Sequence, residues 1–99
     1  TLRQGMAWGN QAFALEELKR NADALQAYQR SSDLLKEAGE KELRSTVLGR
    51  ISGLQVKMGR QVEAITSMDA ALNQKGHLSI KEKFLKDLIE KANKLIKGQ

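Results

Sequence analysis

The sequence predicts an all-α chain, and three observations carry that prediction. Its 99 residues contain no proline, the residue least tolerated inside a helix. Alanine, leucine, lysine, glutamate and glutamine dominate, side chains that suit long helices and that strands do not favour. Apolar residues recur at i, i+4 and i+7 in successive stretches, which is the period of one helical face. A chain of this length is one small domain with a modest core, or a piece of a larger one. A start at Thr1 without methionine is read as a cut from something longer.

Five helices are expected in order. The first runs from about Gln4 to Lys19, with Trp8, Ala12 and Leu15 on its inward stripe. Asn21 then offers an N-cap, Asp23 suits the positive end of the helix dipole, and Ala24, Tyr28, Ser31 and Leu35 face inward until Gly39 stops the second helix. The third spans about Lys41 to Met58, with Val47, Leu48, Ile51, Leu54 and Met58 at helical spacing and Gly59 marking a turn. Val62, Ile65, Met68 and Leu72, with Ala64 and Ala71, make the stripe of a fourth helix that Gly76 ends. Ser79-Ile80-Lys81-Glu82 has capping-box spacing and opens a fifth helix, whose apolar side is Phe84, Leu85, Leu88, Ala92, Leu95 and Ile96.

A shift of 40 residues superposes these helices: Trp8, Leu48 and Leu88 coincide, as do Ala12, Ser52 and Ala92. Ala24 falls on Ala64, and Tyr28 on Met68. Large and small residues recur together because neighbouring helices touch at the small ones and interlock around the large ones. Trp8-x-x-Gln11-Ala12-x-x-Leu15 followed by Ala24-x-x-x-Tyr28 resembles the tetratricopeptide repeat (TPR) signature. The second copy is similar, with Ile51-Ser52, the turn Met58-Gly59-Arg60 and Ala64-x-x-x-Met68-x-x-Ala71. The chain departs from the family pattern in lacking a closing proline, in placing Lys19 where the first turn has glycine, and in its period of 40 residues against about 34. The added length falls around Lys36 to Arg44, as in the elongated variant of the repeat found in scaffold and regulator proteins.

The resemblance implies a right-handed superhelical stack of antiparallel helix pairs. Repeat one covers 4–37 and repeat two 41–75, while 79–97 is a C-terminal capping helix or the first helix of a third repeat. In the family the first helix of each repeat lines a concave groove that takes a peptide or a partner helix. The groove positions here are Met6, Asn10, Phe13 and Glu17 from the first helix. Thr46, Gly49, Arg50, Gly53 and Lys57 follow from the third, and Lys86, Ile89, Glu90 and Asn93 from the fifth. The resemblance implies no terminal-carboxylate clamp, because Gly9 and Phe13 hold the places where such members carry lysine and asparagine.

Phe13 is the sharpest of these positions, an aromatic on the side away from the inward stripe. It either meets a partner or packs on a neighbouring helix or a preceding repeat. Asn10 and Arg50 suit a peptide backbone or carboxylate, arginine through two parallel hydrogen bonds, or else are solvated surface. Gly49 and Gly53 cost about 1 kcal/mol each inside a helix. Close approach of a partner backbone or of another helix would compensate, helix packing being the more ordinary cause.

The remaining chemistry argues against catalysis. No cysteine occurs, so disulfides, thiolate metal sites and cysteine nucleophiles are excluded, and a reducing cytoplasm is the compatible location. The one histidine, His77, sits in a Gly-His-Leu turn without acidic neighbours at metal-ligand spacing, so neither metal nor cofactor is expected. Serine without a strand-turn-helix motif gives no hydrolytic triad. Glu16, Glu17, Glu37 and Glu40 are expected on helix surfaces. No apolar run approaches the roughly 18 residues of a membrane span, and the first residues are not a signal peptide, so no membrane partner is expected.

Charge is uneven. Lys75, Lys81, Lys83, Lys86, Lys91, Lys94 and Lys97 oppose only Glu82, Asp87 and Glu90, which supplies +4 of the net +5. That cluster makes nucleic acid or another acidic surface an alternative partner. The absence of arginine and of aromatics on the polar face counts against it. A further alternative is a homodimer through the end helices, using Leu2, Met6 and Phe13 or Phe84, Leu85 and Ile96.

Overall fold

The structure is a computed structural model that describes residues 2–74 and 79–97, and those residues form helices and turns only. Helix α1 spans Leu2–Glu17, α2 Asn21–Glu37, α3 Lys41–Lys57, α4 Gln61–Gln74 and α5 Ile80–Lys97. The closest packing is within the pairs α1–α2 and α3–α4; α2 on α3 joins the pairs, and α5 packs more sparsely on α4. The expected all-α arrangement of adjacent helix pairs is what the chain adopts.

Local chemistry sets the helix ends. Lys19, Gly39 and Gly59 all have positive φ, at 63°, 72° and 77°, and each is followed by the same closure. The amide of Arg20 donates to the carbonyl of Leu15 at 2.9 Å, that of Glu40 to Leu35 at 3.0 Å, and that of Arg60 to Gln55 at 2.8 Å. A left-handed residue that lets the chain bond back across the last turn is the Schellman ending. Glycine adopts it freely at 39 and 59, whereas Lys19 bears the Cβ penalty, about 1–2 kcal/mol. At the other end of α2, Asn21 is the first helical residue and not the cap. Arg20 precedes it without a side-chain cap and instead donates to Asp23 Oδ2 at 2.6 Å. The capping box at α5 is formed as the spacing predicts: Glu82 N donates to Ser79 Oγ at 3.2 Å and Ser79 N to Glu82 Oε1 at 3.0 Å. The predicted helix stop at Gly76 and the loop at His77 lie outside the described residues.

One core runs through the four helices. Ala12, Ala24, Tyr28, Leu35, Val47, Leu48, Ile51, Leu54 and Ala71 are buried in a single cluster. Small residues let the paired helices approach. A Cβ on Gly5 would stand 3.0 Å from Leu35 Cδ2, and Ser31 Oγ donates to the Gly5 carbonyl at 2.6 Å. In the second pair Ser45 Oγ donates to the Ala71 carbonyl and Ser52 Oγ to that of Ala64, both at 2.7 Å.

Three inward assignments need correction. Trp8 and Val62 remain exposed, Trp8 on the rim of a hollow that it shares with Ala27 and Arg30 of α2. Among the described side chains of α5 the buried one is Ile89, only 7% accessible, while Phe84, Leu85, Leu88, Leu95 and Ile96 are exposed. A helix packed on a single neighbour buries a strip narrower than its apolar face. No helix among the described residues is long and apolar enough to cross a membrane.

Candidate partner-binding groove

An open cavity of 570 Å³ lies between α1, α2 and α3. Its floor is the outer edge of the core, where Leu35, Tyr28, Ser31 and Val47 show through between the helices. Its walls are Met6, Gly9, Asn10 and Phe13 from α1 and Leu43, Thr46 and Arg50 from α3. Five of the residues predicted from sequence, Met6, Asn10, Phe13, Thr46 and Arg50, thus line one space although they come from helices 40 positions apart.

Phe13 is 46% accessible, so it is not consumed by the core. The Arg50 guanidinium carbon stands 5.3 Å from its ring centroid, within the range of a cation–π contact. Thr46 donates its hydroxyl to the Glu42 carbonyl at 3.2 Å, one turn back in its own helix. No acidic residue lines the cavity, so its one formal charge is positive.

Beneath this wall a polar relay ties the α1–α2 hairpin to α3. Tyr28, 1% accessible, donates its hydroxyl to Glu16 Oε1 at 2.8 Å, and Lys57 Nζ pairs with Glu16 Oε2 at 3.1 Å. Burial opposes the charge on Glu16, but the Tyr28 hydroxyl, Lys57 and Arg50 outweigh it and hold the carboxyl below the ordinary carboxylate range. Burial and the adjacent carboxylate push the Tyr28 phenol up to about 12.

The other predicted positions lie elsewhere. Glu17 is exposed, and its neighbour Glu16 is the residue that meets Lys57. Gly49 and Gly53 have open space around the position of a Cβ, with nothing within 4 Å. Helix packing therefore does not explain them; the glycines that packing requires are Gly5 and Gly9, whose added Cβ would meet Leu35 and Ser31 Oγ at 3.0 and 3.2 Å. Lys86, Ile89 and Asn93 do not line the cavity. Lys86 is held within the fold by Glu90 at 3.0 Å, Asp69 at 3.6 Å and Asn73. Its bond to Glu90 is the main reason its ammonium is held above the ordinary lysine value, against burial. Ile89 is buried, and Asn93 borders a separate hollow with Asp69, Glu90, Lys94 and Lys97.

Sequence reasoning missed Leu43 and Tyr28 as residues lining the groove and Glu16 as the partner of Tyr28 and Lys57. Leu43 carried the same signal as Phe13, an apolar side chain off the core stripe of its helix. Glu16 carried none, because it meets Tyr28 and Lys57 only after the hairpin has closed. Compared with protein-family profiles, curated proteins and solved structures, the chain matches none of them.

Proposed function

We propose that the chain is a tetratricopeptide-type interaction module, a non-catalytic scaffold that takes a peptide or a partner helix of another protein in the α1–α2–α3 groove. The observation that carries this is the convergence of Met6, Asn10, Phe13, Thr46 and Arg50 on one open cavity. An aromatic and an arginine at the centre of a largely apolar groove are the residue types that dominate binding energy in protein interfaces. The recurrence of the fold supports the repeat assignment. The turn closures at Lys19, Gly39 and Gly59 share one geometry, and equivalent hairpins are stitched by serine hydroxyls to carbonyls 26 residues away.

The test is selection of peptides from a random phage library on the full chain, followed by amide chemical-shift mapping and calorimetry. Selected peptides are expected to shift amides of Met6–Phe13 and Leu43–Arg50, and Phe13→Ala with Arg50→Ala to weaken them about tenfold or more. Selected peptides that shift α5 alone, or that bind the double variant equally well, would sink the assignment.

A further inference from the structure

The last described helix presents an apolar face that the rest of the fold leaves uncovered, and its flank is basic. Phe84 is 67% accessible and Leu95 71%, with Leu85, Leu88 and Ile96 also exposed. At about 100° per residue these side chains fall within one arc of roughly 120°, a register that Lys81 in the first turn shares. One edge of the arc meets α4 at the buried Ile89. The other edge is Lys91, Lys94 and Lys83, all exposed, with Asp87 the one acid among them. None of these three lysines is in an ion pair among the described residues.

We propose that this face of α5 docks on an anionic lipid surface, lying in the headgroup region without crossing it. A helix with one apolar side rich in Phe and Leu and one lysine-bearing side matches that environment: the apolar arc enters the acyl boundary and the lysines meet the phosphate and serine headgroups. This adds a membrane surface to the partners that the absence of an apolar span had set aside.

The repeat itself discriminates a lipid surface from a further helix of the stack. In α1 and α3 the register that faces the next helix carries Gly5 and Ser45, which bring α2 and α4 close enough for Ser31 Oγ to reach the Gly5 carbonyl and Ser45 Oγ that of Ala71. The equivalent residue of α5, 40 positions on, is Leu85. A large side chain at that place keeps a covering helix from approaching as α2 and α4 do. Acyl chains conform to such a surface without a matching register.

The experiment is flotation of the full chain with vesicles of phosphatidylcholine alone and of phosphatidylcholine with about 30% phosphatidylserine. Binding is expected to the anionic vesicles at low salt and to fall steeply as salt is raised. Phe84→Ser with Leu95→Ser is expected to abolish it. Both residues are mainly solvated, so the variant keeps the wild-type circular dichroism spectrum. Lys83→Gln, Lys91→Gln and Lys94→Gln together are expected to lower the affinity about a hundredfold. No binding to anionic vesicles at low salt would overturn the proposal. So would equal binding to neutral vesicles, or a concentration-dependent dimer, dissolved by the Phe84 and Leu95 changes, in place of vesicle binding.

Discussion

Gly53 offers the cleanest test of which face of α3 is open. It sits inside the helix, and a Cβ added there meets nothing within 4 Å, so alanine brings no clash and no new contact. What remains is backbone propensity, about 1 kcal/mol in favour of alanine. For a domain of this size that raises Tm by about 4–8 °C. Gly49→Ala should behave alike, since its surroundings are equally empty. Gly5→Ala is the control. It has the same propensity gain, but its Cβ would stand 3.0 Å from Leu35 Cδ2, on a side chain only 1% accessible. Overpacking costs about 1–3 kcal/mol, so this variant is expected to be neutral at best. Urea and thermal unfolding followed by circular dichroism read all three. A fall in Tm for Gly53→Ala would refute the open face. With a groove peptide in hand, raised stability and unchanged affinity would show that the glycines do not serve a partner's backbone.

The turn at Lys19 predicts a mirror pair: Lys19→Gly should stabilise by about 1 kcal/mol by removing the Cβ penalty, and Gly39→Ala should destabilise by a similar amount; equal Tm values in both would refute the shared closure. Tyr28 is the only tyrosine, so phenolate absorbance reports it alone, with an inflection expected at about 12 in place of 10.0. Because the folded phenol holds its proton longer than the unfolded one, stability is fully present below about pH 10 and falls from there to about 12, by roughly 1.4 kcal/mol per unit; an ordinary titration in the folded chain would remove the relay. Lys86→Met leaves Asp69 Oδ1, already buried without a hydrogen-bond partner, without the ammonium at 3.6 Å. A cost of about 1–3 kcal/mol and faster amide exchange in α5 than in α1–α3 are expected, and unchanged exchange in α5 would defeat that role. Finally, Ala12→Leu should cost about 1–3 kcal/mol by overpacking, whereas Phe13→Ala should cost at most about 1 kcal/mol, the worth of an exposed cation–π contact; comparable losses would place Phe13 in the core.

Much of the fold was legible because periodicity and turn chemistry act locally. Gly39, Gly59 and the Ser79–Glu82 box lie where the sequence places them, and the stripe of α2 is buried as predicted. Misplacements arose where tertiary context decides. Whether Trp8 or Val62 is covered depends on how far a partner helix extends over the edge of a stripe, which the period of one helix does not encode. The fifth helix shows this most plainly: the large residues read as its inward side are exposed, and α4 covers the side at Ile89, which the sequence placed in the groove. Charge partners were the least legible, since Glu16 and Glu17 differ in sequence by nothing that says which will face Tyr28.

The repeat also separates the residues that hold the fold from those that are free to vary. Positions facing the paired helix stay small between copies: Ala12 is matched by Ser52, Ala24 by Ala64, and Gly5 by Ser45, and all six are buried. Exposed positions change in kind: Asn10 is matched by Arg50, Phe13 by Gly53, and Glu17 by Lys57. Packing constrains the first set, since an added methylene there must displace a neighbouring helix. Nothing within the chain constrains Gly53, and Phe13 is nearly half exposed. Small residues are kept at these helix contacts while the exposed positions beside them change, so the register holds whatever side chains the exposed positions carry. That is also why Ala12 and Phe13, adjacent in sequence, are expected to fail in different assays: the first in unfolding, the second in binding.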